Sequence, residues 1–293
     1  MTDVKTPPVS KALAVFTHGR KLPIFLGIFA AVLFGVAGFV LYLTTIFPEK
    51  TLKESTAVTL GNGIKLGTYS NLHYLYGAAA FVAVIGLVVL VMCVITINLR
   101  KNRFELHEDG VVHNAAGKRS YTRFADIQDL YLFAGGQTAL GGLVNNFAYR
   151  TSPDKEWVLA TGGIKGFFDF MDEFRARCVE YRMPVVEQKL ADGGKVTFRY
   201  LNSGQVYKKR FFGGFLKIKT QELTVSAEGL HVDGVTFRRE DLQSVDLNDW
   251  TEKVAIKDKA GKTVFSCMST GILSSDVFVN MIYDQIGQAP QPA

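Results

Sequence analysis

The chain has 293 residues, of which 48% are apolar, 20% are charged and three are cysteines, and its formal net charge is +6. This composition excludes a disordered tail, a collagen-like repeat and a disulfide-stapled miniprotein. The positive charge is not gathered in one basic domain, because residues 1–21 carry +3, residues 48–71 carry +1 and residues 100–293 carry only +2. The basic balance therefore gives no reason to expect a nucleic-acid partner.

Two long apolar stretches decide the class of the protein. Residues 22–47 contain no Asp, Glu, Lys, Arg or His. Residues 72–99 contain only His73, and a basic cluster that begins at Arg100 follows them directly. Each stretch exceeds the roughly 20 residues that a helix needs to cross a bilayer. We therefore predict a membrane protein with an N-terminal transmembrane helical hairpin.

The positions of Lys and Arg predict how this hairpin is oriented, since positive residues are retained on the cytoplasmic side of a membrane. Four of them precede the first stretch, three follow the second at once, and the connection between the stretches has three. Both termini are therefore expected in the cytoplasm. Residues 1–21 would form a cytoplasmic tail, and residues 48–71 would form an external loop that either folds as a small hairpin or contacts a partner.

Small residues recur at helical spacing in both apolar stretches. They are Ala31, Gly35 and Gly38 in the first stretch and Gly77, Ala79, Ala83 and Gly86 in the second. Small side chains let helices approach closely in lipid, so the spacing predicts either packing of the two helices against each other or homo-oligomerisation. Neither stretch carries a charge in its interior, and a transport pathway through this hairpin is therefore not expected.

The sequence after the second apolar stretch contains an internal repeat. The pattern FELHEDGVVH at residues 104–113 matches LTVSAEGLHV at residues 223–232, and each reads as a strand, an acidic-Gly turn and a second strand. In the same order, RFADIQDLYL at residues 123–132 matches RREDLQSVDL at residues 238–247. These matches predict two copies of one module of antiparallel strands followed by a helix.

An amphipathic helical pattern ends each copy and sets the expected boundaries. In the first copy, apolar residues follow helical spacing over residues 164–181. Pro184 is expected to end that helix, which gives a first module at residues 104–183, a second at 184–287 and a C-terminal tail at 288–293.

The second module is expected to begin with two additional strands, at residues 195–201 and 215–219. The first module shows no such strands after the second apolar stretch, and it is therefore expected to begin directly at the membrane.

The repeated signature carries a resemblance to a known fold. It reads Glu108-Asp109-Gly110-Val111 and Phe124-Ala125-Asp126-Ile127 in the first copy, and Glu228-Gly229-Leu230 and Arg239-Glu240-Asp241-Leu242 in the second. This pattern resembles pleckstrin-homology-like (PH-like) domains of bacterial membrane proteins. The whole chain resembles an uncharacterised family with a membrane hairpin followed by tandem PH-like modules.

The resemblance implies an α+β membrane protein of the bacterial inner membrane, in which each module is a curled antiparallel sheet capped by its C-terminal helix. It also implies scaffolding, or recognition of lipid or protein, more than chemistry.

One basic and aromatic segment is a candidate lipid site. Cations beside aromatic rings are typical of loops that dock on anionic headgroups. The candidate residues are Lys208, Lys209, Arg210, Phe211, Phe212, Lys217 and Lys219. The alternative is a solvated β-hairpin whose two phenylalanines enter the core.

The remaining chemistry-bearing residues predict no catalytic site, no metal site and no cofactor. Asp126 and Asp241 occupy equivalent positions of the repeat, and repetition of this kind indicates a structural role in a turn. His107 and His113 flank one hairpin, but His231 on the equivalent hairpin favours a surface role over a metal site. The three cysteines are far apart and fit reduced thiols.

These observations predict a non-catalytic scaffold whose modules bind another protein at the membrane. This reading expects exposed strand edges or apolar grooves, and binding that responds little to salt. The alternative is recognition of anionic lipid by the second module, which expects binding that weakens with ionic strength. A membrane-tethered enzyme of unknown type is the third candidate.

Overall fold

The structure is a computed structural model that describes residues 11–46, 56–59, 65–69, 73–115, 117–133, 145–202, 204–206, 216–248 and 253–287. The chain divides into two compact units. One unit is His18–Asn102, and the other combines Met1–Thr17 with Arg103–Ala293.

The smaller unit is a pair of apolar helices, α1 (Lys21–Ile46) and α2 (His73–Leu99). Their connection contains two short antiparallel strands, β2 (Thr56–Thr59) and β3 (Lys65–Tyr69), and the hairpin alternative for the loop is therefore confirmed. By length and composition both helices could cross a membrane, which confirms two long apolar helices, whereas the membrane hairpin itself stays a prediction.

A narrow seam holds the two helices together. Leu26 and Ala30 of α1 pack against Val89 and Cys93 of α2. The Cys93 thiol donates a hydrogen bond to the carbonyl oxygen of Pro23, at 3.2 Å.

The small residues divide between this seam and the outer surface. Ala79 and Gly86 of α2 are buried in the pair, and a Cβ at Gly86 would lie 3.3 Å from the Phe34 ring. Gly35 and Gly38 of α1 are exposed, with no heavy atom of a neighbour within 4 Å of a Cβ. Close packing therefore uses Ala79 and Gly86 of α2 with Ala30 and Ala37 of α1, whereas Gly35 and Gly38 face away from the seam.

The larger unit begins with a module built from a four-stranded sheet, a three-stranded sheet and a helix. The sheet orders are β1-β4-β5-β6 and β7-β8-β9, and every pair is antiparallel. The elements are β1 (Ala14–Thr17), β4 (Arg103–Leu106), β5 (Gly110–Ala115), β6 (Lys118–Arg123), β7 (Asp129–Phe133), β8 (Asn146–Arg150), β9 (Val158–Thr161) and α3 (Phe167–Ala191).

The second module repeats this plan, which confirms the internal repeat as two antiparallel modules that each end in a helix. Its sheet orders are β10-β11-β12-β13 and β14-β15-β16. The elements are β10 (Lys195–Tyr200), β11 (Gln221–Ser226), β12 (Gly229–Val232), β13 (Val235–Arg238), β14 (Leu242–Asn248), β15 (Lys253–Asp258), β16 (Thr263–Met268) and α4 (Ser275–Ile286).

Strand β1 changes the expected layout of the first module. It pairs with β4, with Phe16 opposite Phe104 and Thr17 opposite Arg103. The same place in the second module is taken by β10, which pairs with β11. The expectation that residues 1–21 are only a tail, and that the first module begins at the membrane, is therefore wrong: the apolar helix pair is inserted between the first and second strands of that module.

Helix α3 was expected to end before Pro184, but it continues to Ala191. Its first half packs into the first module through Phe170, Phe174 and Cys178. Its second half packs into the second module through Val186. Proline removes one donor and disfavours a helix interior, but Pro184 is exposed and burial of the second half outweighs that cost.

The second additional strand expected at residues 215–219 is wrong for the part that the structure describes. Residues 216–220 form a turn and irregular backbone, whereas the first additional strand is β10. Ile218 of this segment packs against a cluster that includes Tyr131 and Leu201 and so fixes its course.

The repeated glycine of the motif allows a close approach between strands. A Cβ at Gly110 would lie 2.5 Å from the Thr122 carbonyl oxygen, and one at Gly229 would lie 2.1 Å from that of Phe237. A side chain at either position would push away the strand that follows, which is β6 for Gly110 and β13 for Gly229.

Polar contacts join the two modules into one unit. Ser274 has a left-handed backbone (φ 56°), and its amide donates to the Leu130 carbonyl at 2.7 Å. Its hydroxyl donates to the Gln128 carbonyl and accepts from the Leu130 amide, both at 3.0 Å. Arg175 forms a two-pronged ion pair with Asp276, at 2.9 and 2.8 Å.

Candidate functional site: a basic groove between the modules

A groove of about 950 Å³ lies between the two modules. Its walls come from β6 and the turn after it, from β8 and β9, from the second half of α3 and from β10. The carboxylates in its lining are Asp126 and Glu156. Its cations are Arg150, Lys155, Arg182, Lys189 and Arg199.

Arg182 is the central cation of this groove. It lies on the buried face of α3, where Cys178 one turn before and Val186 one turn after are apolar, yet it is only 8% exposed. Its guanidinium donates a hydrogen bond to the Ile127 carbonyl oxygen. Within the described residues, no carboxylate lies within ion-pair distance of it, and burial lowers the pKa of this guanidinium.

One buried carboxylate serves the other two arginines. Asp129, at the start of β7, is 2% exposed. Its oxygens lie 2.6 Å from Nε of Arg150 and 2.9 Å from Nη1 of Arg199. Arg199 also lies 3.5 Å from the exposed carboxylate of Glu222. The field of Asp129 favours the charged form of Arg182, whereas that of Arg199 opposes it. Two guanidinium groups are therefore paired with one buried carboxylate, and Arg182 interacts with it only at longer range.

The two lysines extend this positive charge to the rim. Lys155 and Lys189 are exposed, and neither forms an ion pair with another residue that the structure describes. Of the two lining carboxylates, Asp126 is already paired with Arg123, at 3.5 Å. Counting Asp129 beneath the surface, five cations face three carboxylates, and the groove keeps a positive excess.

Strand edges and apolar side chains form the rest of the groove. Tyr121 and Thr122 belong to β6, the last strand of its sheet, and Val196 and Thr197 belong to β10, the first strand of the other. The edge of β10 away from β11 is paired near its end, by a bridge between Tyr200 and Ile272 and by a hydrogen bond from the Leu273 amide to the Arg199 carbonyl oxygen at 2.8 Å. Within the described residues, no backbone pairing occupies this edge at Val196 and Thr197. Val158, Val185 and Val186 add apolar surface. A groove of this kind can take an extended ligand with both charged and apolar parts.

Comparison with protein-family models and with curated proteins finds no match to this chain.

Most of the candidate lipid site lies outside the described residues. This applies to Lys208, Lys209, Arg210, Phe211 and Phe212. Lys217 and Lys219 are described, and both are exposed in the irregular segment before β11. The structure thus places these two lysines apart from the groove lining, on either side of the packed Ile218.

The groove is the site that sequence reasoning did not find. Its arginines come from three separate elements, and Asp129 that joins two of them lies on a fourth, so no short motif contains them. One signal was present: Arg182 continues the helical spacing of the apolar residues before it. The apolar pattern was followed only to residue 181, and this cation on the buried face of the expected helix was therefore missed.

No metal centre is found in the described part of the chain, since it contains no group of three or more His, Cys, Asp and Glu residues placed to hold an ion. His113 stacks on the Phe104 ring, with centroids 4.5 Å apart, so its ring is part of the packing of the first sheet.

Proposed function

We propose that this chain is an integral membrane protein whose tandem PH-like modules bind another protein at the membrane surface and catalyse no reaction. The observation that carries the proposal is the groove lined by two terminal strands, one from each of two modules that pack in one compact unit. Edge strands offer unpaired backbone groups to an extended segment of a partner.

The PH-like assignment of the modules is supported by their strand plan. Each copy has four antiparallel strands, then three, then a C-terminal helix. The repeated signature falls at equivalent places in both copies. Its acidic-Gly part lies at the turn between the second and third strands, and its Asp-Ile/Leu part lies at the short helical turn before the fifth strand.

The membrane location is supported by the surface of α1 and α2. Most of their large apolar side chains are exposed, and Phe81 is 68% exposed. Apolar surface of this extent is costly in water and favourable in lipid. The charge bias favours a cytoplasmic location of both termini, and the family resemblance points to the bacterial inner membrane.

Recognition of anionic lipid is the second candidate. It is favoured by Lys217 and Lys219, which are exposed and close in sequence to the basic and aromatic segment at residues 207–212. Salt dependence no longer separates the two candidates, because the groove that a protein would use is itself basic. The two candidates have to be distinguished by whether the bound molecule is a protein or a lipid.

Photo-crosslinking of the full chain in its native membrane tests the proposal. A photoreactive p-benzoylphenylalanine replaces Ser120 on edge strand β6 in one variant, and Lys217 in another. A third variant carries it at Ala260, an exposed position in the turn between β15 and β16. We expect one discrete protein adduct from position 120 and none from position 260.

Three results of this experiment have different meanings. Lipid adducts from position 217, with no protein adduct from position 120, would favour the lipid candidate. Equal protein adducts from positions 120 and 260 would indicate random collision and contradict the proposal. If position 120 yields no protein adduct in any growth condition, the proposal is wrong.

A further inference from the structure

The groove between the modules has a charge arrangement that the packing of the modules does not need. Asp129 with Arg150 and Arg199 already forms a hydrogen-bonded network at the junction. Arg182 adds a third guanidinium to this network without adding a carboxylate. Burial of a cation that has no ion-paired carboxylate of its own is costly, and a bound anion offsets that cost.

We infer that the groove binds an extended, acidic segment of the protein partner, with a carboxylate of that segment at Arg182; this inference rests on the proposed function. The guanidinium is a planar fork that matches the two oxygens of a carboxylate. Lys155 and Lys189 at the rim attract further acidic residues of the same segment.

The shape of the groove favours a peptide over a small anion. A volume of about 950 Å³ is far larger than one carboxylate or phosphate needs. Its apolar surface, mainly from Val158 and Val185, suits side chains that alternate with the acidic ones. Alternation of this kind is the pattern of an extended strand, whose successive side chains point to opposite sides.

The backbone of the groove walls favours a peptide over a lipid headgroup. Strands β6 and β10 are terminal strands of their sheets, and residues of both line the groove. A peptide can pair with the backbone amides and carbonyls of such an edge, whereas a headgroup cannot continue a sheet.

Peptide binding to the full-length protein tests this inference. The protein is held in nanodiscs of phosphatidylcholine, which carries no net charge. The probe is a fluorescein-labelled peptide of alternating Glu and Val, and the reference is the same peptide with Gln in place of Glu. Fluorescence anisotropy at fixed ionic strength measures both affinities. We expect the Glu peptide to bind about tenfold more tightly than the Gln peptide.

Two matched pairs of lysine substitutions locate the binding. The variant K155Q/K189Q removes two exposed cations of the groove, and K217Q/K219Q removes two exposed cations outside its lining. We expect about a tenfold loss of affinity for the first variant and less than about twofold for the second. Arg182→Lys keeps the charge but removes the fork, and a loss in this variant at unchanged Tm assigns the contact to the guanidinium.

The remaining outcomes overturn the inference. These are equal losses in the two lysine variants, or no preference for the Glu peptide. A third result is that the peptide does not bind, whereas inorganic phosphate or phosphatidylglycerol vesicles bind in a way that needs Lys155 and Lys189. That result would assign the groove to a phosphate group. If the inference fails while the adduct at position 120 persists, the proposed function stands and the partner binds elsewhere on β6.

Discussion

Asp129 is the buried carboxylate that neutralises arginines at the junction of the modules. Its two oxygens hold Arg150 and Arg199, and Arg182 lies within reach of its field. Arg150 is further fixed by the Trp157 ring, whose centroid lies 4.2 Å from the guanidinium carbon. Removal of the carboxylate would leave three poorly solvated cations close together.

Asp129→Asn is therefore expected to destabilise the protein strongly. Loss of one partner from a buried ion pair costs about 3 kcal/mol of the free energy of unfolding, which lowers Tm by about 6–12 °C. Thermal unfolding in detergent, followed by tryptophan fluorescence, measures this shift. The matched control is Glu240→Gln, which removes a carboxylate 3.5 Å from Arg238 where both side chains are largely exposed. A shift for Asp129→Asn as small as that of the control would contradict the buried network.

Single residues could be predicted from the sequence where their role follows from local spacing. Cys178 belongs to the apolar helical pattern over residues 164–181, which predicts a core-facing side chain, and it is buried. The glycine of each hairpin was expected at a turn, and the structure adds its physical reason, the close approach of the next strand. Arg182 could not be assigned, because its surroundings come from Ile127, Asp129 and Arg199 on other elements.

At the scale of elements, local pattern predicted most strands and both long apolar helices, and it failed where distant segments meet. Strand β1 is only four residues long, and its partner β4 follows after the whole helix pair. No local signal announces such a pairing. The extension of α3 beyond Pro184 is similar, because it depends on burial of Val186 in the core of the next module.

Strand β1 can be tested by removal of the inserted unit. In one variant an Asn-Gly turn replaces His18–Asn102, so that Thr17 and Arg103, which are already opposite each other, become the ends of a hairpin. We expect a protein that is soluble without detergent and unfolds cooperatively. A fragment of residues 103–287, which lacks β1, also loses the Phe16 ring stacked on Phe170 at 4.5 Å. That fragment should be less stable by roughly 3 kcal/mol, the typical cost of removing a packed phenylalanine.

Two substitutions in the Asn-Gly variant separate packing from chain length. Phe16→Ala removes the stacked ring, whereas Val15→Ala changes the exposed face of the same strand. Only Phe16→Ala should lower Tm markedly. If the fragment of residues 103–287 unfolds at the same temperature as the Asn-Gly variant, then β1 contributes nothing to the module.

For the whole molecule, the pairing of β1 with β4 constrains the topology independently of the charge bias. The chain enters α1 from β1 and leaves α2 into β4, and these strands are neighbours in one sheet. Whatever lies between them must therefore leave and return on the same side of a membrane. Two spanning helices meet this requirement, and one or three would not.

Cysteine labelling in intact cells tests this topology. The native thiols give a low background, because Cys93, Cys178 and Cys267 are buried and burial raises the pKa of Cys267 to about 11. Single reporters are Lys11→Cys before β1, Lys195→Cys in β10 and Thr51→Cys in the connection between the helices. A membrane-impermeant maleimide should label only Thr51→Cys in intact cells, and only the other two in inverted vesicles. Labelling of Lys11→Cys and Lys195→Cys from opposite sides would exclude the pairing of β1 with β4, and labelling of all three from one side would mean that α1 and α2 do not span the membrane.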